Sequence, residues 1–141
     1  MAARVLVFGT FDLLHPGHIS FLREASAFGA VTVALTPDEL ITTYKGAAPV
    51  NDYHKRERRL RQLSLVTDVI SADKSPNTYH ILKKNKPTMV LLGYDQQVMA
   101  KQLLSRIREY GPAISIAVAH PYRDNVYRSS LLRAASTKKI S

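Results

Sequence analysis

Two histidines three residues apart, in the stretch GTFDLLHPGH, are the residues of this sequence best suited to chemistry. His15 and His18 follow an apolar run and a Gly-Thr pair, and Pro16 lies between them. Proline is typical of the first position of a helix, where its missing amide hydrogen costs nothing. Helix starts bind anions through backbone amides that have no partner within the helix. The pattern therefore predicts two imidazoles beside a bound phosphate.

Metal ligation and plain helix capping are the two other interpretations of this pair. A zinc site requires a third or fourth ligand, and the remaining histidines, His54, His80 and His120, each lie in a separate segment. The sequence contains no cysteine, which excludes disulfides, thiolate nucleophiles and cysteine-bound zinc. Packing alone would not place glycines, histidines and a strand end together, so phosphate chemistry is the interpretation that we favour.

Five short apolar runs alternate with segments that have helical spacing. The apolar runs cover residues 4–9, 31–36, 68–72, 89–93 and 115–119. They are nearly continuous in apolar character, which is typical of strands buried on both faces of a parallel sheet. Helices are predicted over residues 17–29, 52–66, 75–85, 96–111 and 129–137. This alternation predicts one Rossmann-like α/β domain over residues 1–141, with a five-stranded parallel sheet and helices on both faces.

Polar residues follow the predicted strands at their carboxyl ends. They occupy positions 9–10 after the first strand, 36–38 after the second and 93–95 after the fourth. In open α/β sheets, ligands bind beyond the carboxyl ends of the strands, where the strand order reverses. The segment from Ile41 to Asp52 is predicted to be a long polar connection, and such connections are often functional.

The chain is strongly basic, with 20 Lys and Arg against 11 Asp and Glu and a formal charge of +9. This excess favours anionic partners. The basic run at 54–63 is either a nucleic-acid patch or a solvated amphipathic helix, and its leucine spacing favours the helix. The chain has no tryptophan, and it lacks the aromatic platform of single-strand binders and any apolar run that spans a membrane. We expect neither nucleic acid nor membrane as partner, and a cytoplasmic location.

The stretch GTFDLLHPGH resembles the signature of the nucleotidylyltransferase superfamily, with its Gly-Thr-Phe-Asp and His-x-Gly-His elements. Three further stretches are similar to family motifs and occur in the family's order: KGAAPV, KPTMVLLGYDQ and RDNVYRSSLLR. The last departs from the pattern at Val126, where the family has glycine, and at Arg128, where it often has serine. The resemblance implies transfer of a nucleoside monophosphate from a nucleoside triphosphate to a small phosphorylated acceptor, with release of pyrophosphate.

The resemblance also implies roles for individual residues, because negative charge builds on the α-phosphate during in-line attack. The catalytic residues would be His15, His18, Lys45 and Arg123. The nucleotide would contact Gly9, Thr10, Phe11, His15, His18, Gly93, Asp95, Arg123, Ser129 and Ser130. The acceptor would contact Asp12, Lys45, Arg56 and Tyr94. Alternatively, the lysine is a solvated loop residue and the serine pair an ordinary helix cap.

The resemblance further implies Mg²⁺ as cofactor and, as in related small enzymes, a homodimer. Asp12 and Asp95 are the carboxylates best placed to hold magnesium, although Asp12 equally suits orienting a histidine or capping a turn. The stretch LGYDQ is similar to the corresponding segment of archaeal-type FAD synthases, which transfer AMP to FMN. Within it, Tyr94 would either stack on a base or flavin or cover the rim of the sheet. The alternative is cytidylyl transfer to glycerol 3-phosphate or another small alcohol phosphate. A non-catalytic nucleotide- or RNA-binding module is a more remote one.

Overall fold

The computed structural model describes residues 3–110 and 113–121, and within them the strands form one parallel sheet in the order β3-β2-β1-β4-β5. The strands are β1 (Arg4–Gly9), β2 (Ala30–Leu35), β3 (Asp68–Ser71), β4 (Met89–Leu92) and β5 (Ser115–Val118). The helices are α1 (Pro16–Phe28), α2 (Asp38–Lys45), α3 (Tyr53–Arg61), α4 (Ile81–Asn85) and α5 (Gln97–Tyr110). The predicted five-stranded α/β fold is confirmed. No helix in the described part of the chain is long and apolar enough to cross a bilayer.

The central strand β1 is buried on both of its faces. Val5 and Val7 pack into a core with α1 and α3, while Leu6 and Phe8 pack into a second core with α4 and α5. None of the four side chains is more than 5% exposed. Burial on both faces is the reason that this strand reads as a continuous apolar run rather than an alternating one.

The strand order reverses between β1 and β4. Strand β1 pairs with β2 along its whole length, from Arg4 to Gly9, but its register with β4 covers Val5 and Leu6 alone. The backbones of β1 and β4 are therefore not paired at the carboxyl ends of these strands. Open α/β sheets bind ligands in the crevice outside such a switch point.

The connections differ from the sequence prediction in three places. The segment expected to be a polar connection from Ile41 begins inside α2. This helix buries only Leu40 and Ile41, and two adjacent apolar residues do not form the spaced pattern that predicts a helix. The helix expected over 75–85 is reduced to α4, because Asn77 and Tyr79 adopt positive φ angles of 64° and 51°. The helix expected over 52–66 ends at Arg61. The helix predicted over 129–137 lies outside the described residues.

Tyr79 joins the α4–α5 side of the sheet to the end of β1. Its ring meets that of Phe8 edge-on at 5.7 Å, and its hydroxyl donates to Gln102 at 2.9 Å. Burial, with smaller contributions from Tyr44 and Asp73, raises the pKa of Tyr79 to about 12. Folding therefore favours the neutral phenol. Its contribution to stability is complete below the unfolded pKa near 10 and is lost as pH rises through about 12.

We expect Tyr79→Phe to remove the last phenol to ionise in an ultraviolet absorbance titration at alkaline pH. The exposed Tyr44, mutated to Phe, serves as the matched control and should leave this final ionisation step in place. An unchanged final ionisation step in Tyr79→Phe would contradict the assignment.

Candidate active site

His15 and His18 form a reciprocal capping box at the start of α1. Nδ1 of His15 accepts from the amides of Gly17 at 3.1 Å and His18 at 3.4 Å, and Nδ1 of His18 accepts from the amide of His15 at 3.4 Å. Capping boxes usually pair serine or threonine with glutamate or glutamine. Here two imidazoles perform the same function. Capping the helix uses one nitrogen of each ring, so the same residues can also bind phosphate through the other nitrogen.

The capping box determines which nitrogen of each ring carries hydrogen. A ring nitrogen that accepts from a backbone N–H cannot itself be protonated, so the neutral imidazole carries its hydrogen on Nε2. The two rings stack with centroids 3.7 Å apart and planes 22° apart. Two Nε2–H donors therefore lie on neighbouring rings at a helix start, where the amides and the helix dipole favour a bound anion.

Phe11 supports His18 from the core side. Its side chain is 2% exposed, its φ angle is 45°, and its ring centroid lies 5.1 Å from that of His18. A Cβ atom on Gly9 would lie 2.6 Å from the Phe11 ring, so the glycine makes room for the ring to fold back onto the strand end. The Phe11 ring is thus part of the core beneath the helix start, so a contact of Gly9 or Phe11 with the nucleotide would be made by the backbone.

Asp12 fastens the connection after α2 to the loop after β1. Its carboxylate accepts from the amides of Val50 at 2.7 Å and Asn51 at 2.8 Å, and its carbonyl accepts from the Asn51 side chain at 2.7 Å. Of the roles open to this residue, capping a turn is the one that the structure displays. We call this set of contacts the Asp12 latch.

Arg56 is fully buried beneath the same loops. Its guanidinium donates to the Asn51 carbonyl at 3.0 Å, the Thr10 carbonyl at 2.9 Å and the Asp38 carboxylate at 2.6 Å. Asp38 also accepts from the amide of Tyr53 at 3.3 Å. A side chain at 0% exposure cannot reach an acceptor phosphate. The expectation that Arg56 binds the acceptor is therefore corrected: it positions the loops that surround the site.

Gln96 spans the switch point between β1 and β4. Its side-chain oxygen accepts from the Gly93 amide at 2.7 Å, and its side-chain nitrogen donates to the Phe8 carbonyl at 3.2 Å. Tyr94, 41% exposed, and the exposed Asp95 follow at the end of β4. A Cβ atom on Gly93 would lie 2.9 Å from Oδ1 of Asp95, so this glycine allows the carboxylate to approach the strand end.

Sequence reasoning assigned no role to Asp38, Asn51 or Gln96. Asp38 and Asn51 contact Arg56, and Gln96 follows Asp95 in the sequence, but their residue types did not indicate these partners. Lys45 is exposed at the last position of α2, before Gly46, whose φ of 73° turns the chain. Other residues of the sequence prediction lie outside the described residues: Arg123, Val126, Arg128, Ser129 and Ser130.

A magnesium ion held by the protein alone does not fit the part of the chain that the structure describes. Within residues 3–110 and 113–121, no group of three or more His, Asp or Glu could hold a metal ion. Both carboxylate oxygens of Asp12 already accept backbone amides. Mg²⁺ commonly keeps several waters and binds through one or two carboxylates and the phosphates of a substrate.

We expect the two functions of His15 to separate in substitutions. His15→Ala should lower the free energy of unfolding by about 1 kcal/mol, because it removes the cap. His15→Asn should lose less than half as much, because asparagine also caps helices through its side-chain oxygen. Urea unfolding measures both, with the exposed His54→Ala as control. Equal losses in the Ala and Asn variants would contradict the capping role.

We expect Arg56→Met to lower the free energy of unfolding by about 2–3 kcal/mol, less than the loss for a fully buried pair because the Asp38 side chain is 40% exposed. Arg56→Lys should fall in between, since one ammonium cannot reproduce the planar fork. Arg59→Met, on the exposed side of α3, is the matched control and should change stability by about 0.5 kcal/mol or less. Equal stability of the two Met variants would contradict the positioning role.

Comparisons with known proteins identify the family of this chain. Residues 6–135 match the family model described as cytidylyltransferase-like. The chain is 34% identical over 120 residues to an FAD synthase from Pyrococcus abyssi, covering 84% of this chain and 80% of that one. It is 36% identical over 109 residues to an FAD synthase from Thermococcus onnurineus, covering 77% and 73%.

A solved structure shares the fold. It is described as the lipopolysaccharide core biosynthesis protein from Thermoplasma volcanium, and it matches with a TM-score of 0.78 at 28% identity, covering 86% of this chain and 99% of that one. The family match includes β4, most of β1 and the histidine pair at the start of α1. The chain belongs to the cytidylyltransferase-like family and is a nucleotidyltransferase.

Proposed function

We propose that this nucleotidyltransferase transfers AMP from ATP to FMN, forming FAD and releasing pyrophosphate. The observation that carries the phosphate chemistry is the pair of stacked imidazoles that present Nε2–H donors at the start of α1. The relatives from Pyrococcus abyssi and Thermococcus onnurineus, both named FAD synthase, support ATP and FMN as the substrate pair.

The proposed reaction is a single displacement at phosphorus. A phosphate oxygen of FMN attacks the α-phosphorus of ATP, the bond from that phosphorus to the bridging oxygen of the β-phosphate breaks, and pyrophosphate leaves. The reaction requires no covalent enzyme intermediate. The protein contributes alignment of the reactants and stabilisation of the charge that develops on the phosphate oxygens.

We assign the roles of the residues from the family motifs and, within the described residues, from the exposure of the side chains. His15 and His18 donate from Nε2 to oxygens of the triphosphate. Lys45, exposed at the end of α2, supplies a positive charge to the α-phosphate or to the phosphate of FMN. Tyr94 contacts a ring of one of the substrates. Three further residues, predicted from the second family motif, bind the triphosphate: Arg123, Ser129 and Ser130.

Magnesium enters this proposal with the nucleotide, as the complex with ATP. The ion would neutralise phosphate charge and keep most of its water, with Asp95 as its contact on the protein. Two polyanionic substrates also account for a chain with a formal charge of +9.

The first experiment combines ATP or CTP with FMN or glycerol 3-phosphate, in the presence of magnesium. We expect pyrophosphate release and chromatographically identified FAD with ATP and FMN alone. Pyrophosphate release with CTP and glycerol 3-phosphate instead would establish cytidylyl transfer. Folded protein that is inactive with every pair would contradict both assignments.

A second experiment tests the histidine pair. We expect His15→Asn to lower kcat for FAD formation at least about 100-fold, because it loses a donor to the developing charge while it keeps the helix cap. His54→Asn, with its side chain 85% exposed on α3, is the matched control and should be as active as the natural chain. A fully active His15→Asn variant would restrict this histidine to a structural role.

A further inference from the structure

Two aliphatic side chains project from the two loops that the Asp12 latch joins. Leu13 follows Asp12 directly and is 56% exposed, and Val50, whose amide donates to Asp12 at 2.7 Å, is 75% exposed. Their neighbours are turned inward, since Leu14 packs against the core and Asn51 is 7% exposed. We call Leu13 and Val50 together the apolar lip.

The apolar lip adjoins the residues proposed to bind phosphate. Leu13 lies two residues before His15, and Val50 lies five residues after Lys45. The lip is therefore set back from both phosphate-binding groups along the chain, toward the distal part of an acceptor.

The backbone of the lip is fixed before any ligand binds. The Asp12 latch holds the Val50 and Asn51 amides, and Arg56 holds the Asn51 carbonyl at 3.0 Å. Contacts made by groups that are already ordered cost less entropy on binding than contacts made by mobile loops. The exposed side chains are therefore preorganised contact surface rather than parts of a loose loop.

The chemistry of the lip discriminates between the two acceptors under consideration. Single exposed aliphatic residues are common on protein surfaces. Two on loops that Asp12 joins, close in sequence to the residues proposed to bind phosphate, instead offer apolar surface to the distal part of an acceptor. A glycerol chain presents hydroxyl groups, which gain nothing from this surface. FMN continues from its phosphate through a ribityl chain, whose hydroxyl groups also gain nothing, to an isoalloxazine ring, whose broad, planar face does gain from such a surface.

We propose that Leu13 and Val50 contact the isoalloxazine ring of the acceptor and determine the preference for FMN over polyol phosphates. This inference rests on the proposed FAD synthase function and names two residues that select the substrate. Because each side chain is already partly covered, each contact contributes less than full burial of a leucine or valine. The corresponding effect on the KM for FMN is about 3–10-fold for each residue.

The test uses Leu13→Ser, Val50→Ser and the double variant in the full chain. Leu104→Ser is the matched control, because Leu104 lies on α5 and is 50% exposed, close to the exposure of Leu13. We expect the KM for FMN to rise about 3–10-fold in each single variant and about 10–50-fold in the double variant. The KM for ATP should stay within about twofold, and Leu104→Ser should leave both values unchanged.

Binding of FMN to the same variants, followed by quenching of flavin fluorescence, gives a Kd that does not depend on turnover. An unchanged KM and Kd for FMN in a folded double variant would overturn the inference and leave the FAD synthase function standing. A rise in the KM for ATP alone would also overturn it and would place the nucleotide base on the lip. A natural chain that neither binds nor converts FMN would overturn the inference and the proposed function together.

Discussion

The wholly buried guanidinium of Arg56 donates to the loop after β1, to the first turn of α2 and to the connection that precedes α3. A charge removed from water costs several kcal/mol unless hydrogen-bond acceptors surround it. Its three oxygen partners, on Thr10, Asp38 and Asn51, must therefore occupy fixed positions whenever the chain is folded. Asp12 also holds Asn51, so Arg56 and Asp12 together set the position of the connection between α2 and α3 beside the loop after β1.

The imidazole rings of His15 and His18 both stabilise the start of α1 and supply donors for chemistry. The Nδ1 atoms of His15 and His18 complete the start of α1, and this use assigns the ring hydrogens to Nε2. Phe11 packs against His18 from beneath, in a backbone conformation that non-glycine residues seldom adopt. A local helix cap thus orients two donors, and Phe11 packs against one of the two rings.

The basic run at 54–63 shows how charge is distributed between structure and surface. It forms the amphipathic helix α3 that the leucine spacing indicated, with Leu60 buried and Arg58 and Arg59 exposed. Arg56, from the same run, is buried and serves the loops. The exposed arginines remain available to the general attraction between a basic protein and anionic substrates, which is long-ranged and requires no contact.

The amino-acid sequence by itself determined the features that depend on neighbours along the chain. The continuous apolar runs specified buried parallel strands, and Pro16 after a strand end specified where α1 begins. Only the tertiary structure decided which polar residues meet. The Asp12–Val50 and Arg56–Thr10 contacts join residues 38 and 46 positions apart. The reversal of strand order between β1 and β4 is equally non-local. Residue type indicates that an arginine or aspartate requires partners, but only the fold brings particular partners within hydrogen-bond distance. For Arg56 and Asp12 those partners include backbone groups of the surrounding loops, and both residues therefore hold these loops in place.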